Sequence, residues 1–168
     1  MVPQEVAQQL AAYHALQPPL DIIALLQSFS IQVRVAPLTA GAAGMCMGVI
    51  GFLARVPDWL MVVNQDAQIG QALAAAHLLG HYLLHADRVF ACSSVVVGPE
   101  EVEACAFADE LLMPAAHVRA LTAPITCNMA RDFGVPLIQL IRRYRDLQFE
   151  WVHKIWDARA RGEGPTER

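Results

Sequence analysis

The run from Ala67 to Ala86 constrains this chain most: it carries no Asp, Glu, Lys or Arg, yet holds three histidines and two glutamines. Ala72 to Leu84 is apolar nearly all round, which is the pattern of a helix buried on every side. Polar side chains of that kind are costly in lipid, so the run predicts a central helix of a soluble domain and not a membrane span. A second uncharged stretch, Val35 to Ala54, contains Pro37 and four glycines, among them Gly44 and Gly48 in a G-x-x-x-G arrangement. Gly-rich turns between short strands account for it without a membrane.

The segments around that helix supply its cover. Pro3 to Leu16 has helix-forming composition and is stopped by Pro18 and Pro19, and Leu20 to Phe29 places apolar residues at helical spacing. Ile31, Val33 and Val35 alternate with Gln32 and Arg34, the period of a half-buried strand. Met47–Leu53 and Trp59–Val63 are further strand candidates, and Val95–Val97 is a short β-branched run. Gly98-Pro99-Glu100-Glu101 reads as a helix start, with proline in the first turn and carboxylates near the positive end of the dipole. That helix should stop at Pro114. Beyond a loop with Pro124, Met129–Phe133 and Pro136–Leu147 read as two helices joined at Gly134, the second able to continue through Trp156. The expected fold class is α+β: a mostly helical domain with a small antiparallel sheet and a C-terminal helical segment. One domain over residues 1–160 and a tail over 161–168 fit the length and the composition.

Charge narrows the partners. The net charge is −4, but residues 1–130 carry four Lys/Arg against ten Asp/Glu, whereas 131–168 carry eight against six. An acidic chain of this kind argues against general nucleic-acid binding. Arg142, Arg143 and Arg145, in a helix-turn-helix-like stretch, would be the residues of a DNA-binding alternative, although a short basic run is ordinarily a solvated helix face. Tyr144, Phe149, Trp151 and Trp156 on the last helix leave room for a partner surface or for core packing. Cys46, Cys92, Cys105 and Cys127 are far apart without a C-x-x-C pair and sit among apolar neighbours as small buried residues do. They suggest a reducing compartment, and with no basic–apolar opening segment the expectation is cytoplasmic.

His77 and His81 stand four residues apart on the central helix, so their rings are ~40° apart around its axis and ~6 Å apart along it. Both can meet one metal ion. Zinc ordinarily takes a third protein ligand from another element, and the helix opened by Glu100 and Glu101 is the obvious source. Spacing alone leaves the pair open between ligands and histidines that bind nothing. It also cannot choose between Glu101 and Glu103, which project ~200° apart, so that only one is expected to face the histidines.

Three segments carry a resemblance: Trp59-Leu-Met-Val-Val-Asn64, Ala76-His-Leu-Leu-Gly-His-Tyr-Leu-Leu-His85, and Glu101-Val-Glu-Ala-Cys-Ala-Phe-Ala-Asp-Glu-Leu-Leu-Met-Pro114. Over about residues 20–150 the chain resembles the ImmA/IrrE metallopeptidases, which carry A-H-E-L-G-H-Y-L-L-H followed by E-x-x-A-N-x-F-A-x-x-L-L-M-P. The resemblance implies a zincin-like fold and a zinc site of His77, His81 and Glu101, with Glu103 as fallback ligand and with His85 and Cys105 as supporting residues or alternative ligands. It also implies a protein partner, a helix-turn-helix repressor of phage, mobile-element or stress-response control.

Two positions depart from the family pattern. Leu78 stands where the family has the glutamate of H-E-x-x-H, and Cys105 where it has asparagine. In such peptidases that glutamate takes a proton from the attacking water and passes it to the leaving nitrogen, which leucine cannot do. Zinc affinity should suffer less, because this glutamate is not a ligand. The expectation is a zinc-binding, catalytically impaired protein. The alternative is an active peptidase whose base is Glu103, Asp109 or Glu110.

Overall fold

A computed structural model of the chain describes residues 2–38, 42–49, 58–67, 70–85, 90–93 and 98–160. In order, the elements are α1 (Pro3–Tyr13), α2 (Ile22–Ser28), β1 (Ile31–Ala36), β2 (Ala42–Val49), β3 (Asp58–Asn64), α3 (Gln71–Leu84), β4 (Phe90–Ser93), α4 (Pro99–Leu112), α5 (Ala115–Arg119), α6 (Cys127–Phe133) and α7 (Leu137–Ala160). The fold is α+β and mostly helical, with one small sheet, as the sequence predicts.

Helix boundaries follow local chemistry. The Asp21 carboxylate accepts from the Ala24 amide at 3.0 Å and starts α2. Thr126 does the same for α6 through the Met129 amide, and α6 ends at Gly134 with φ 68°. The central helix begins at Gln71, later than the composition alone suggests. Gly70 precedes it at φ 88°, a backbone state that a side chain would strain, and a β-carbon there would also stand 2.9 Å from the Pro136 ring.

The sheet order is β1-β3-β2-β4. β3 and β4 both run antiparallel to β2, but β1 pairs with β3 in parallel, from Ile31 opposite Trp59 to Ala36 opposite Asn64. The sheet is therefore mixed at one edge. The parallel pair arises because β2 lies on the far side of β3, so the chain passes over to β2 before returning between its two neighbours. Gly44 and Gly48 belong to β2 itself and not to a turn. β2 begins at Ala42, ahead of the predicted Met47, while positions 50–57 and the Val95–Val97 run lie outside the described residues.

From Leu73 to His81 every residue of α3 is buried, in agreement with its all-round apolar sequence. It packs between the sheet and α4. Gly80 permits a close approach of the two helices, since a β-carbon there would stand 3.1 Å from the Cα and carbonyl oxygen of Ala104 and from the Phe107 ring. No helix among the described residues is long and apolar enough to cross a membrane.

α4 is tied to the helices around it through one buried carboxylate. Glu110 pairs with Arg143 of α7, accepts from Gln8 Nε2 of α1 at 2.9 Å, and accepts from the Ala115 amide of α5 at 3.3 Å. Arg143 Nε donates to the Met113 carbonyl, so the guanidinium is held on two sides. Next to it, Arg142 makes a forked contact with Asp109 at 2.8 and 3.0 Å. Two of the three arginines considered for phosphate contacts are thus committed to carboxylates of α4. Tyr144 packs against the core and Phe149 is exposed, while the Trp151 and Trp156 side chains lie outside the described residues.

Candidate metal centre

The close crossing of α3 and α4 brings Glu101, in the first turn of α4, onto the histidine face of α3. His77 Nε2 lies 3.0 Å from Glu101 Oε2 and 3.1 Å from His81 Nε2, and His81 Nε2 lies 3.4 Å from Glu101 Oε1. His81 is fully buried and His77 nearly so, whereas the Glu101 side chain retains 18 % exposure, which leaves one side of the cluster open. These three residues form a group that could hold a metal ion.

The donor chemistry fits zinc. Two imidazole nitrogens and a carboxylate are the borderline nitrogen and oxygen set that zinc accepts. Tetrahedral bonds of ~2.1 Å set neighbouring donors ~3.4 Å apart, close to the spacings found here. Burial lowers the His77 pKa to about 4. That of His81 falls to about 3, through burial first and then the neighbouring His77 and His85. Both rings are therefore neutral near pH 7 and need no deprotonation to bind a cation. Burial, and then Glu100, raises the Glu101 pKa, so the carboxylate is poorly stabilised without a positive partner.

A second layer backs the rings. His85 Nδ1 lies 3.3 Å from His81 Nδ1, and His85 Nε2 lies 2.9 Å from Glu103 Oε2. Only Glu101 faces His77 and His81, as expected of one of the two glutamates, while Glu103 reaches His85, a contact the helical period did not suggest. His85 is the reason: it caps α3 with φ −133° and ψ 40°, so its ring is not bound to the helical period. On the other side, Cys105 Sγ lies 3.5 Å from His77 Nδ1. Cys105 and Cys127 are free and exposed, which corrects the expectation of buried cysteines: Cys127 opens α6 at the surface, and Cys105 lies at the rim of the histidine cluster with its sulfur toward His77. The Cys46 and Cys92 side chains lie outside the described residues.

Leu78 is fully buried, and its Cδ1 packs against the β2 backbone at Gly44. The other carboxylates considered as bases are engaged elsewhere: Glu103 with His85, Asp109 with Arg142 and Glu110 with Arg143.

The IrrE N-terminal-like domain, a zinc-dependent peptidase type, matches residues 27–145. The chain belongs to that family. The match spans every residue of the His77–His81–Glu101 cluster and most of the sheet and helices that position it. No curated protein matches the chain. Residues 2–26 and 146–160 of this IrrE-like protein lie outside the match, although Gln8 in the first segment closes the hydrogen bonds of Glu110.

Sequence reasoning did not find the Gln8–Glu110–Arg143 contact or the His85–Glu103 contact. The signal for the latter was present in the histidine four residues beyond His81. The former had none, because the partners lie far apart along the chain.

Proposed function

We propose that this protein is a zinc-binding relative of the IrrE-type peptidases whose catalytic step is impaired, and that it binds a helix-turn-helix repressor without cutting it efficiently. His77, His81 and Glu101 would hold the ion, and zinc there would supply a Lewis acid able to polarise a peptide carbonyl. Leu78 takes the position of the glutamate that moves the proton. The observation that carries the reading is the contrast between a complete donor set and the absence of a carboxylate released for proton transfer on α4, where Glu103, Asp109 and Glu110 all have partners. Loss of a positioned acid–base group ordinarily slows a reaction by ~10² to 10⁴.

The repressor as partner, and a setting in phage, mobile-element or stress-response control, rest on the family resemblance alone, whereas a cytoplasmic location rests on the spacing of the cysteines. Residues 1–160 are taken as one functional unit. Direct contact with DNA is disfavoured because Arg142 and Arg143 are spent on Asp109 and Glu110.

The test is to incubate the zinc-loaded native protein and its Leu78→Glu variant with a repressor encoded beside it, following fragments by mass spectrometry and binding by titration. Binding by both, with chelator-sensitive cutting by the variant only, supports the reading. Efficient chelator-sensitive cutting by the native protein refutes it.

A further inference from the structure

Glu103, His85 and His81 form a hydrogen-bonded line that ends where the candidate metal donors converge. Glu103 Oε2 lies 2.9 Å from His85 Nε2, and His85 Nδ1 lies 3.3 Å from His81 Nδ1. On its other side His81 turns Nε2 toward His77 Nε2 and Glu101, at 3.1 and 3.4 Å. The shorter contact, at the Glu103 end, constrains the protons between.

A neutral imidazole carries one proton on one of its two nitrogens, and a carboxylate can only accept. Facing Glu103, a neutral His85 ring places its proton on Nε2 and donates it to the carboxylate. Its Nδ1 is then an acceptor, which obliges His81 to carry its own proton on Nδ1. The Nε2 of His81 is left with a lone pair aimed at Glu101 and His77. We propose that Glu103 and His85 are positioning residues that fix the tautomer of His81, so that its Nε2 is offered as a donor before any cation arrives.

His77 has no comparable support, for its Nδ1 faces the Cys105 thiol, a weak acceptor. The two ligand rings are therefore held unequally. Exposure separates the members as well: the Glu103 side chain is 49 % exposed and that of His85 only 11 %, so Glu103 can be removed with little disturbance to packing.

The inference deepens the metal-binding reading and rests on it for its consequence, but the tautomer itself is read without metal. Long-range nitrogen–proton NMR of the metal-free protein near pH 7 reports which ring nitrogen of His81 is protonated. The native protein should show the Nδ1–H form, and His85→Ala a mixture with the Nε2–H form. Zinc affinity, measured by competition with a chromophoric chelator, should fall about 10-fold in His85→Ala, within the range usual for lost supporting contacts. Glu103→Ala should show the same change of tautomer in smaller degree, and the double variant should fall no further than His85→Ala. His85→Gln should restore most of the affinity, because its amide oxygen can accept the same N–H. An unchanged His81 tautomer in both Glu103→Ala and His85→Ala would overturn the inference. A native protein that binds no zinc yet shows the tautomer shift would overturn the metal-binding reading and leave the positioning pair standing.

Discussion

Leu78 and Gly44 are packed so closely that a β-carbon at position 44 would stand 2.7 Å from Leu78 Cδ1, and equally close to the carbonyl oxygen of Val62. Leu78 is thus a contact between the central helix and the sheet. Leu78→Glu should restore only part of a peptidase activity, because the new carboxylate enters a site that is fully buried and packed for an aliphatic group. Loss of stability by about 3 kcal/mol accompanies any such gain, as expected for burying a charge without a partner. Urea unfolding of the metal-free variant measures that loss, and its relief by saturating zinc would show the carboxylate lying near the ion.

Metal content separates the two glutamates. The native protein should hold about one equivalent of zinc, and His77→Ala/His81→Ala none. Glu101→Gln should weaken zinc binding far more than Glu103→Gln, since Glu101 contacts both ligand histidines and Glu103 touches only His85. Elemental analysis after dialysis gives the content, and chelator competition ranks the variants. Stronger loss in Glu103→Gln would move the third ligand to that residue.

Acid should destabilise the metal-free protein over a defined window. An unfolded histidine takes its proton near pH 6.5, whereas folded His77 and His81 do so only at about 4 and about 3. Between these limits the unfolded chain binds protons that the folded chain refuses, so stability is full above pH 6.5 and falls as pH drops toward 4. Each histidine contributes a slope of about 1.4 kcal/mol per pH unit there. Glu101, raised by burial, works in the opposite sense and offsets part of it. Urea midpoints recorded with a chelator at about pH 7 and about pH 5 should differ in this direction, and the difference should shrink in His77→Ala/His81→Ala.

The Glu110–Arg143 pair makes a sharper claim about the fold. Both side chains are buried, so Arg143→Met leaves an uncompensated carboxylate and should lower stability by about 3–5 kcal/mol. The double variant Glu110→Gln/Arg143→Met should recover a large part of that loss. Denaturant unfolding of the four proteins in the cycle decides it.

How far the sequence could be read follows from the range of the interactions involved. The buried central helix, its paired histidines and the acidic start of α4 were legible because each depends on residues within one or two turns of one another. Membership of the family was legible through these two segments together with Trp59–Asn64. The parallel pairing of β1 with β3 was not, because alternation fixes which face of a strand is buried and is silent on the direction of its neighbour. Nor was the Glu103–His85 contact, since His85 leaves the helical backbone whose period guided the expectation.

At Gly80 the separation of α3 from α4 is set by close packing, for a β-carbon there would stand 3.1 Å from the Ala104 backbone and equally near the Phe107 ring. The aperture among His77, His81 and Glu101 is consequently a mechanical property of that crossing. A single methyl group at position 80 would act as a wedge, prising the carboxylate from the two imidazoles while leaving every donor atom chemically intact. Affinity for an ion can then drift through changes at a residue that never touches it.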